Sequence, residues 1–176
     1  MAAADAIVPD DRDWTWVLSK PCPECGFDAA TVDLAAIATM ITDNADGWVS
    51  VLEGDDVTVR PSSSIWSPLE YACHVRDVFS LYDYRLHLML DHDDPLFPNW
   101  DQDATAVAER YDQQDAVVVA SELVIAAQQL ADSFAEVDGE QWKQTARRSD
   151  GAAFTIESFA RYMVHDPIHH LADVHA

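Results

Sequence analysis

The chain has 176 residues and is 49% hydrophobic, so we expect one domain with a substantial buried core and no extensive disorder. Its formal net charge of −22 would repel nucleic-acid phosphates and anionic membrane surfaces, and neither is an expected partner. The N-terminus lacks the basic start and continuous apolar stretch of a signal peptide, and no stretch approaches the length of a membrane span. The odd number of cysteines does not indicate a disulfide scaffold. These features predict a cytoplasmic protein.

Apolar residues at helical spacing predict a first helix from Ala29 to Leu52. A short β-prone run, Val57 to Val59, follows in a loop. The start of the second helix is strongly marked, because Ser67 is a suitable N-cap, Pro68 fits the first helical position and Glu70 completes a capping box. Its apolar surface continues for about six turns and ends before Pro95.

After a long connection we expect a short helix through Tyr111, a third long helix over roughly 115–137 and a last helix from Thr155 almost to the C-terminus. Four long helices with no internal repeat and little strand signal predict an all-α four-helix bundle with long crossover loops. Antiparallel packing of consecutive helices is the default expectation. Residues 1–28 are predicted to form an N-terminal extension, and residues 29–176 the bundle.

Three histidines are candidate metal ligands. His165 and His169 are four residues apart, which places both imidazoles on one face of the last helix. His74, on the second helix, could complete a three-nitrogen site for a divalent metal with open positions for water or substrate. Asp166 and Asp173 are spaced to hold a ligand histidine by its second nitrogen. The alternative is that the histidines are buried core residues.

Pro167 complicates the choice of ligands on the last helix. It removes a backbone donor and predicts a kink, which could bring His170 into the place of His169. A regular helix favours His169 and turns His170 toward another face, where Asp166 is its partner four residues back.

Two further groups of residues are ambiguous. Cys22 and Cys25 form a single Cys-x-x-Cys pair, for which we favour a structural turn over a redox role or partial zinc binding. Arg147 and Arg148 precede the last helix and could attract a carboxylate substrate, although a solvated loop explains them equally well.

Two segments, Trp66 to Asp77 and His165 to Val174, resemble the DinB/YfiT-like superfamily, which includes mycothiol-dependent maleylpyruvate isomerase and bacillithiol transferases. The resemblance implies a four-helix bundle with a long crossover. It also implies a divalent metal, zinc or nickel, held by His74, His165 and His169. In characterised members the metal activates a low-molecular-weight thiol as thiolate.

The resemblance therefore favours a thiol-dependent transferase or isomerase, in which a metal-bound thiol or water is the nucleophile. A metal-dependent hydrolase is the second enzymatic reading. The third is a non-enzymatic metal-binding or sensor protein, in which a fourth protein ligand such as Glu70, Asp77 or His170 closes the site. The expected partners are a small-molecule substrate and, in a homodimer, a second copy of the chain.

Overall fold

The computed structural model describes residues 7–9 and 12–175. Within these residues the α-helices are α1 (Ile37–Leu52), α2 (Pro68–Asp91), α3 (Gln102–Ala108), α4 (Ala116–Ala135) and α5 (Ile156–Asp173). α1, α2, α4 and α5 are the long ones, and their buried faces form one hydrophobic core. This arrangement confirms the prediction of an all-α four-helix bundle.

Local capping explains where the helices start. The Ser67 hydroxyl accepts a hydrogen bond from the Glu70 backbone, and the Glu70 carboxylate accepts one from the Ser67 backbone, so the predicted capping box is present. The first helix starts later than predicted. Residues 29–36 form two short 3-10 turns instead. Asp28 and Asp33 each start one of these turns, because the side chain of each accepts a hydrogen bond from the backbone N–H two residues later in the chain.

The order of packing differs from the default expectation. α4 packs on both α1 and α2, and α5 also packs on both α1 and α2, while the direct contact between α1 and α2 is small. Among the four long helices, α2 and α4 are therefore the only pair that is both successive in the chain and closely packed. The long connections at 53–67 and 136–155 allow the chain to cross the bundle in this way.

A small sheet was not anticipated from the sequence. Its strands are β1 (Leu96–Phe97), β2 (Thr145–Arg148) and β3 (Ala153–Thr155), in the order β1-β2-β3. β1 and β2 are parallel, and β2 and β3 are antiparallel. The sheet joins the connection after α2 to the segment that leads into α5. The β-prone run Val57 to Val59 lies instead in a turn and an irregular segment.

The outer face of α4 is unusually apolar. α4 is long and apolar enough to cross a membrane by length and composition alone, a test that core helices of soluble proteins also pass. Its inner face is buried against α1 and α2, whereas several β-branched residues on its outer face are exposed, namely Val117, Val118, Val124 and Ile125. The helix is thus a bundle element with an apolar surface on its free side.

Candidate functional site

Helix α5 presents two interleaved pairs of potential metal ligands. His165 and His169 occupy one face, and Asp166 and His170 occupy the next, about 100° around the helix. The helix continues beyond Pro167 to Asp173. The side-chain amide of Asn44 on α1 donates a hydrogen bond of 3.0 Å to the Pro167 carbonyl, which ties this part of α5 to the bundle.

His165 and His169 lie beside the two cysteines of the N-terminal segment. The potential ligand atoms of Cys22, Cys25, His165 and His169 all lie within 4.8 Å of one another, and we refer to these four residues as the cysteine–histidine cluster. The Cys22 Sγ lies 3.7 Å from Nδ1 of His169. Cys22 and both histidines are buried, and Cys25 is partly buried. The four ligand atoms are thus close enough together to contact a single ion.

A tight turn aims the two cysteines in the same direction. The Gly26 backbone donates to the Cys22 carbonyl over 2.8 Å, and Gly26 has a φ of 77°, a left-handed conformation that glycine adopts without strain. The rings of Trp14 and Phe27 cover His165, with centroids 5.4 and 5.3 Å from its ring. The cluster is therefore shielded by aromatic side chains of the N-terminal segment.

Asp166 and His170 lie beside His74 of α2. The potential ligand atoms of His74, Asp166 and His170, here called the histidine–aspartate cluster, also lie within 4.8 Å of one another. Nε2 of His74 is 3.1 Å from Oδ1 of Asp166, and Nε2 of His170 is 3.9 Å from the same oxygen. His74 is fully buried, whereas Asp166 and His170 are partly exposed.

Neighbouring side chains orient both imidazoles of this cluster. Nδ1 of His170 lies 3.0 Å from the Asp173 carboxylate, so its other nitrogen is directed toward Asp166. The ring of Trp100 stacks on His74 at 5.3 Å with an interplanar angle of 5°. Nδ1 of His74 is enclosed and has no hydrogen-bond partner among the described residues.

Burial and charge set the protonation states at the two clusters. Burial would raise the pKa of Asp166, but the charges of His74 and His170 and the hydrogen bond with His74 outweigh it, so that its pKa lies well below the usual range. Burial lowers the pKa of His165 to about 4 and raises the pKa of Cys25 to about 11. At neutral pH Asp166 is a carboxylate and His165 a neutral imidazole, the forms that bind metal, whereas the Cys25 thiol would release its proton only on binding an ion.

A cavity of about 860 Å³ opens next to the clusters. Asp166 and His170 line it from the histidine–aspartate cluster, and His165 and His169 line it from the other. Its wall also contains aromatic and arginine side chains, including Trp100, Tyr82, Tyr162, Arg12, Arg85 and Arg148. The size is within the range of small-molecule sites.

Two of the lining arginines differ in their partners. Arg148 is paired with Asp150 at 2.8 Å and donates to the Tyr162 hydroxyl over 3.3 Å. Arg85 is buried, donates to the Pro98 carbonyl over 2.7 Å and packs on the Phe97 ring. No carboxylate of the described residues forms an ion pair with Arg85. By contrast, Arg147 is largely exposed, pairs with Asp94 at 2.8 Å and does not line the cavity.

The structure divides the three histidines that the sequence singled out. His165 and His169 share the cysteine–histidine cluster, whereas His74 lies in the histidine–aspartate cluster with Asp166 and His170. The division follows from helix geometry, because adjacent residues of α5 point about 100° apart. Glu70 and Asp77 belong to neither cluster: Glu70 forms the capping box and pairs with Arg60, and Asp77 accepts from Tyr111 and Arg76.

Four residues of the two clusters lie outside the predicted set of His74, His165 and His169: Cys22, Cys25, Asp166 and His170. The sequence had left His170 and the cysteine pair only as alternative ligands, and Asp166 as a partner of a ligand histidine. Two spacings in the sequence could have indicated them. Cys-x-x-Cys and His-x-x-x-His are the two half-patterns of a Cys₂His₂ zinc site, even though about 140 residues separate them here. Asp166 and His170 repeat the four-residue spacing of His165 and His169, shifted by one position.

Comparison with known proteins places the chain in a family. The sequence profile of the DinB superfamily matches residues 38–174. Among solved structures, the fold is similar to YfiT from Bacillus subtilis, described as a probable metal-dependent hydrolase with an unusual four-helix bundle topology. The TM-score is 0.72 at 14% identity, over 88% of this chain and 90% of that one. No curated protein matched the sequence. Because the matched residues span α1 to α5, the chain belongs to the DinB superfamily.

Proposed function

We propose that the protein is a metal-dependent enzyme that acts on a small molecule, with its divalent ion held by His74, Asp166 and His170. The observation that carries this proposal is the position of the cluster. Asp166 and His170 form part of the wall of the 860 Å³ cavity; His165 and His169 also line it, but their cluster already offers four protein ligands, whereas this one offers three. Three protein ligands leave coordination positions for substrate or water, which is the arrangement of catalytic rather than structural metal sites.

The residues fit such an ion. The ligand atoms of one tetrahedral or octahedral zinc ion with nitrogen and oxygen ligands lie roughly 3 to 3.5 Å apart, and His74 Nε2 and Asp166 Oδ1 are separated by 3.1 Å. The Asp173 carboxylate holds the second nitrogen of His170, as is common for ligand histidines. YfiT, which has the same fold, is described as a probable metal-dependent hydrolase.

A divalent ion here would lower the pKa of a bound thiol or water, so that a nucleophile is present at neutral pH. The neighbouring side chains would complete the site around the ion. Trp100 stacks on His74 and lines the cavity beside the cluster. Tyr82, Tyr162 and Arg148 also line the cavity, and Arg148 donates a hydrogen bond to the Tyr162 hydroxyl.

Arg85 indicates the class of substrate. It is buried in the cavity wall without an ion-pair partner among the described residues, in a chain whose acidic residues outnumber its basic ones 32 to 10. A buried guanidinium is costly unless an anion compensates it. We therefore assign Arg85 the role of binding a carboxylate or phosphate group of the substrate, through the bidentate geometry that arginine favours.

Two reactions are consistent with this site, and we favour thiol-dependent transfer because a carboxylate-bearing low-molecular-weight thiol would suit both the ion and Arg85. Hydrolysis by bound water is the alternative, supported by the description of YfiT. Zinc and nickel are the ions we expect. In either case the substrate is a small anionic molecule.

The test is turnover of a panel of small electrophiles and esters that carry a carboxylate, by protein loaded with zinc or nickel, with and without added thiol. We expect turnover that requires thiol and is lost in His74→Ala and Asp166→Asn, while Cys73→Ser, a buried cysteine outside both clusters, retains it. Turnover that is independent of thiol would identify a hydrolase. Equal turnover in the wild type and the His74→Ala variant would refute a metal-dependent reaction at this cluster.

A further inference from the structure

Cys22, Cys25, His165 and His169 have no role in the reaction proposed above. Together they offer two thiols and two imidazoles as ligands. This Cys₂His₂ set is one of those found in structural zinc sites. Both sequence spacings, two residues between the cysteines and three between the histidines, are within the ranges of such sites. The cysteines also precede residue 38, where the match to the DinB superfamily begins. The four residues thus join the family's bundle to a segment outside the family match.

We propose that this cluster binds a structural zinc ion that fastens the N-terminal segment to α5. The distance between Cys22 Sγ and His169 Nδ1, 3.7 Å, is about the separation of a sulfur and a nitrogen ligand on one tetrahedral zinc ion. All four ligand atoms come from the chain, and three of the four side chains are buried. No coordination position is left for a substrate, which is the mark of a structural site.

A second observation points to a ligand in the same place. Nε2 of His165 is enclosed and has no hydrogen-bond partner among the described residues. Buried polar atoms are normally paired, because an unpaired one costs roughly 1–3 kcal/mol. A metal ion in the cluster would bind this nitrogen and so give it the partner that it lacks.

The surroundings of the cluster also resemble those of a zinc site. The nitrogen of His169 that faces away from Cys22, Nε2, lies 3.5 Å from the Glu24 carboxylate and 3.8 Å from the Asp173 carboxylate. Carboxylates commonly hold the second nitrogen of a ligand histidine in this way. The backbone of Phe27 donates a hydrogen bond to the Cys25 sulfur. The turn is held by the bond from Gly26 to Cys22.

The ion would also shape the cavity. The N-terminal segment that it fastens contributes Pro9, Arg12, Asp13, Trp14 and Thr15 to the cavity wall. Trp14 packs against both histidines of the cluster, with ring centroids 5.4 and 4.9 Å away. Zinc at this position would therefore hold one wall of the substrate cavity: its ligands His165 and His169 border the cavity, while the protein fills all four coordination positions.

The test uses Co²⁺ added to metal-free, fully reduced full-length protein, because thiolate ligands give Co²⁺ intense charge-transfer absorption in the near ultraviolet. We expect this absorption in the wild type and in His74→Ala, which alters only the other cluster. It should disappear in the Cys22→Ser/Cys25→Ser double variant and persist in Cys73→Ser. In Cys25→His, which keeps four ligands but only one thiolate, it should fall by about half. Absorption that is absent from the wild type, or unchanged in the double variant, would overturn the proposal.

Two further measurements keep the result interpretable if the double variant folds poorly. X-ray absorption of the zinc-loaded wild type should show sulfur and nitrogen ligands together. Hydrogen exchange should show faster exchange of backbone amides in residues 14–27 after zinc removal, with little change in α4. A disulfide between Cys22 and Cys25 in protein isolated under reducing conditions would contradict the zinc site and indicate a redox pair.

Discussion

His169 and His170 are adjacent in the chain and their rings lie 5.7 Å apart at 77°, yet each belongs to a different set of potential metal ligands. His169 faces Cys22, and His170 faces His74 and Asp166. The two histidines therefore do not compete for one position in a single metal site. Each is placed to bind a different ion.

The first prediction separates the two histidines. His169→Ala should remove the sulfur-ligated ion and leave the ion of the histidine–aspartate cluster. His170→Ala should do the reverse, because neighbouring helix positions point about 100° apart. Metal analysis after dialysis, combined with the Co²⁺ absorption, checks both. If His170→Ala abolished the thiolate absorption, the assignment of His169 would be wrong.

The second prediction concerns Asp173, which contacts Nδ1 of His170 over 3.0 Å. Replacing it with Asn should weaken metal binding at the histidine–aspartate cluster about 10- to 100-fold, because outer carboxylates orient and polarise ligand imidazoles. Asp173 also lies 3.8 Å from His169, so competition with a chromophoric chelator measures the change in a Cys22→Ser/Cys25→Ser background, where the other cluster has lost its thiolates. Asp132→Asn, on α4 and remote from both clusters, is the control and should leave the affinity unchanged. An affinity equal to that of the wild type would show that Asp173 does not position His170.

The third prediction tests Arg85. Arg85→Met keeps the apolar stem that packs on Phe97 but removes the charge, so KM for an anionic substrate should rise about 10-fold or more, a loss of roughly 1.5–3 kcal/mol typical of a charged hydrogen bond. Burial opposes the charge of Arg85 and lowers its pKa, whereas the variant loses the hydrogen bond to the Pro98 carbonyl; the two effects oppose each other, so the melting temperature should change little. Arg147→Met, outside the cavity, is the matched control and should leave KM unchanged. An unchanged KM in Arg85→Met would exclude the role in substrate binding.

The fourth prediction is a pH dependence of stability that originates in Glu70. Burial would raise the pKa of Glu70, but hydrogen bonds from Arg60 and Ser67 outweigh it and lower the pKa. Its contribution to stability is therefore present above its ordinary pKa of about 4.3 and is lost as the pH falls through its lower, folded-state pKa. At pH 7, Glu70→Gln should cost about 1–2 kcal/mol, because it breaks the ion pair and weakens the capping box.

Thermal unfolding of the wild type and Glu70→Gln at neutral pH and at about pH 3 measures this effect. The difference between the two proteins should shrink at the lower pH. Glu122→Gln removes an exposed partner of Arg76 and should cost little at either pH. A difference that stayed constant with pH would show that the charge of Glu70 does not stabilise the start of α2.

The fifth prediction is that metal removal lowers the melting temperature and leaves the helical circular dichroism at 25 °C nearly unchanged. Four long helices bury a continuous hydrophobic core that includes Trp48, Leu69, Phe79, Leu123 and Phe159, and this core does not depend on metal. Small zinc domains behave differently, because their folding energy comes from the ion. Loss of most of the helical signal on chelation would show that the bundle depends on its metals.

Much of the fold could be predicted because its signals are local. Ser67 and Glu70 mark the start of α2 within a few residues, and Thr155 does the same for α5. The 3-10 turns before α1 and the small sheet were missed. Two- to four-residue strands such as Leu96–Phe97 depend on pairing with a distant segment, for which a single sequence holds little information.

The candidate site was harder to predict for a related reason. The chemical types of the ligands were visible, but their grouping depends on the rotation of α5 and on contact between residues 22–25 and 165–169, far apart in the chain. Pro167 made that rotation uncertain from sequence alone. In the structure the helix continues through it and the Asn44 amide binds its carbonyl, so Asp166 and His170 face His74.

The interleaving of the two ligand pairs on α5 has a consequence for how such a protein can change over evolution. If one ion holds the helix to the N-terminal segment, positions 166 and 170 can exchange one ligand type for another while the helix keeps its place. Asp166→His, for example, would turn a mixed oxygen and nitrogen set into an all-nitrogen one and favour a different metal. The residues that maintain the shape of the chain and those that select its reactive ion are separate, although they alternate along a single helix.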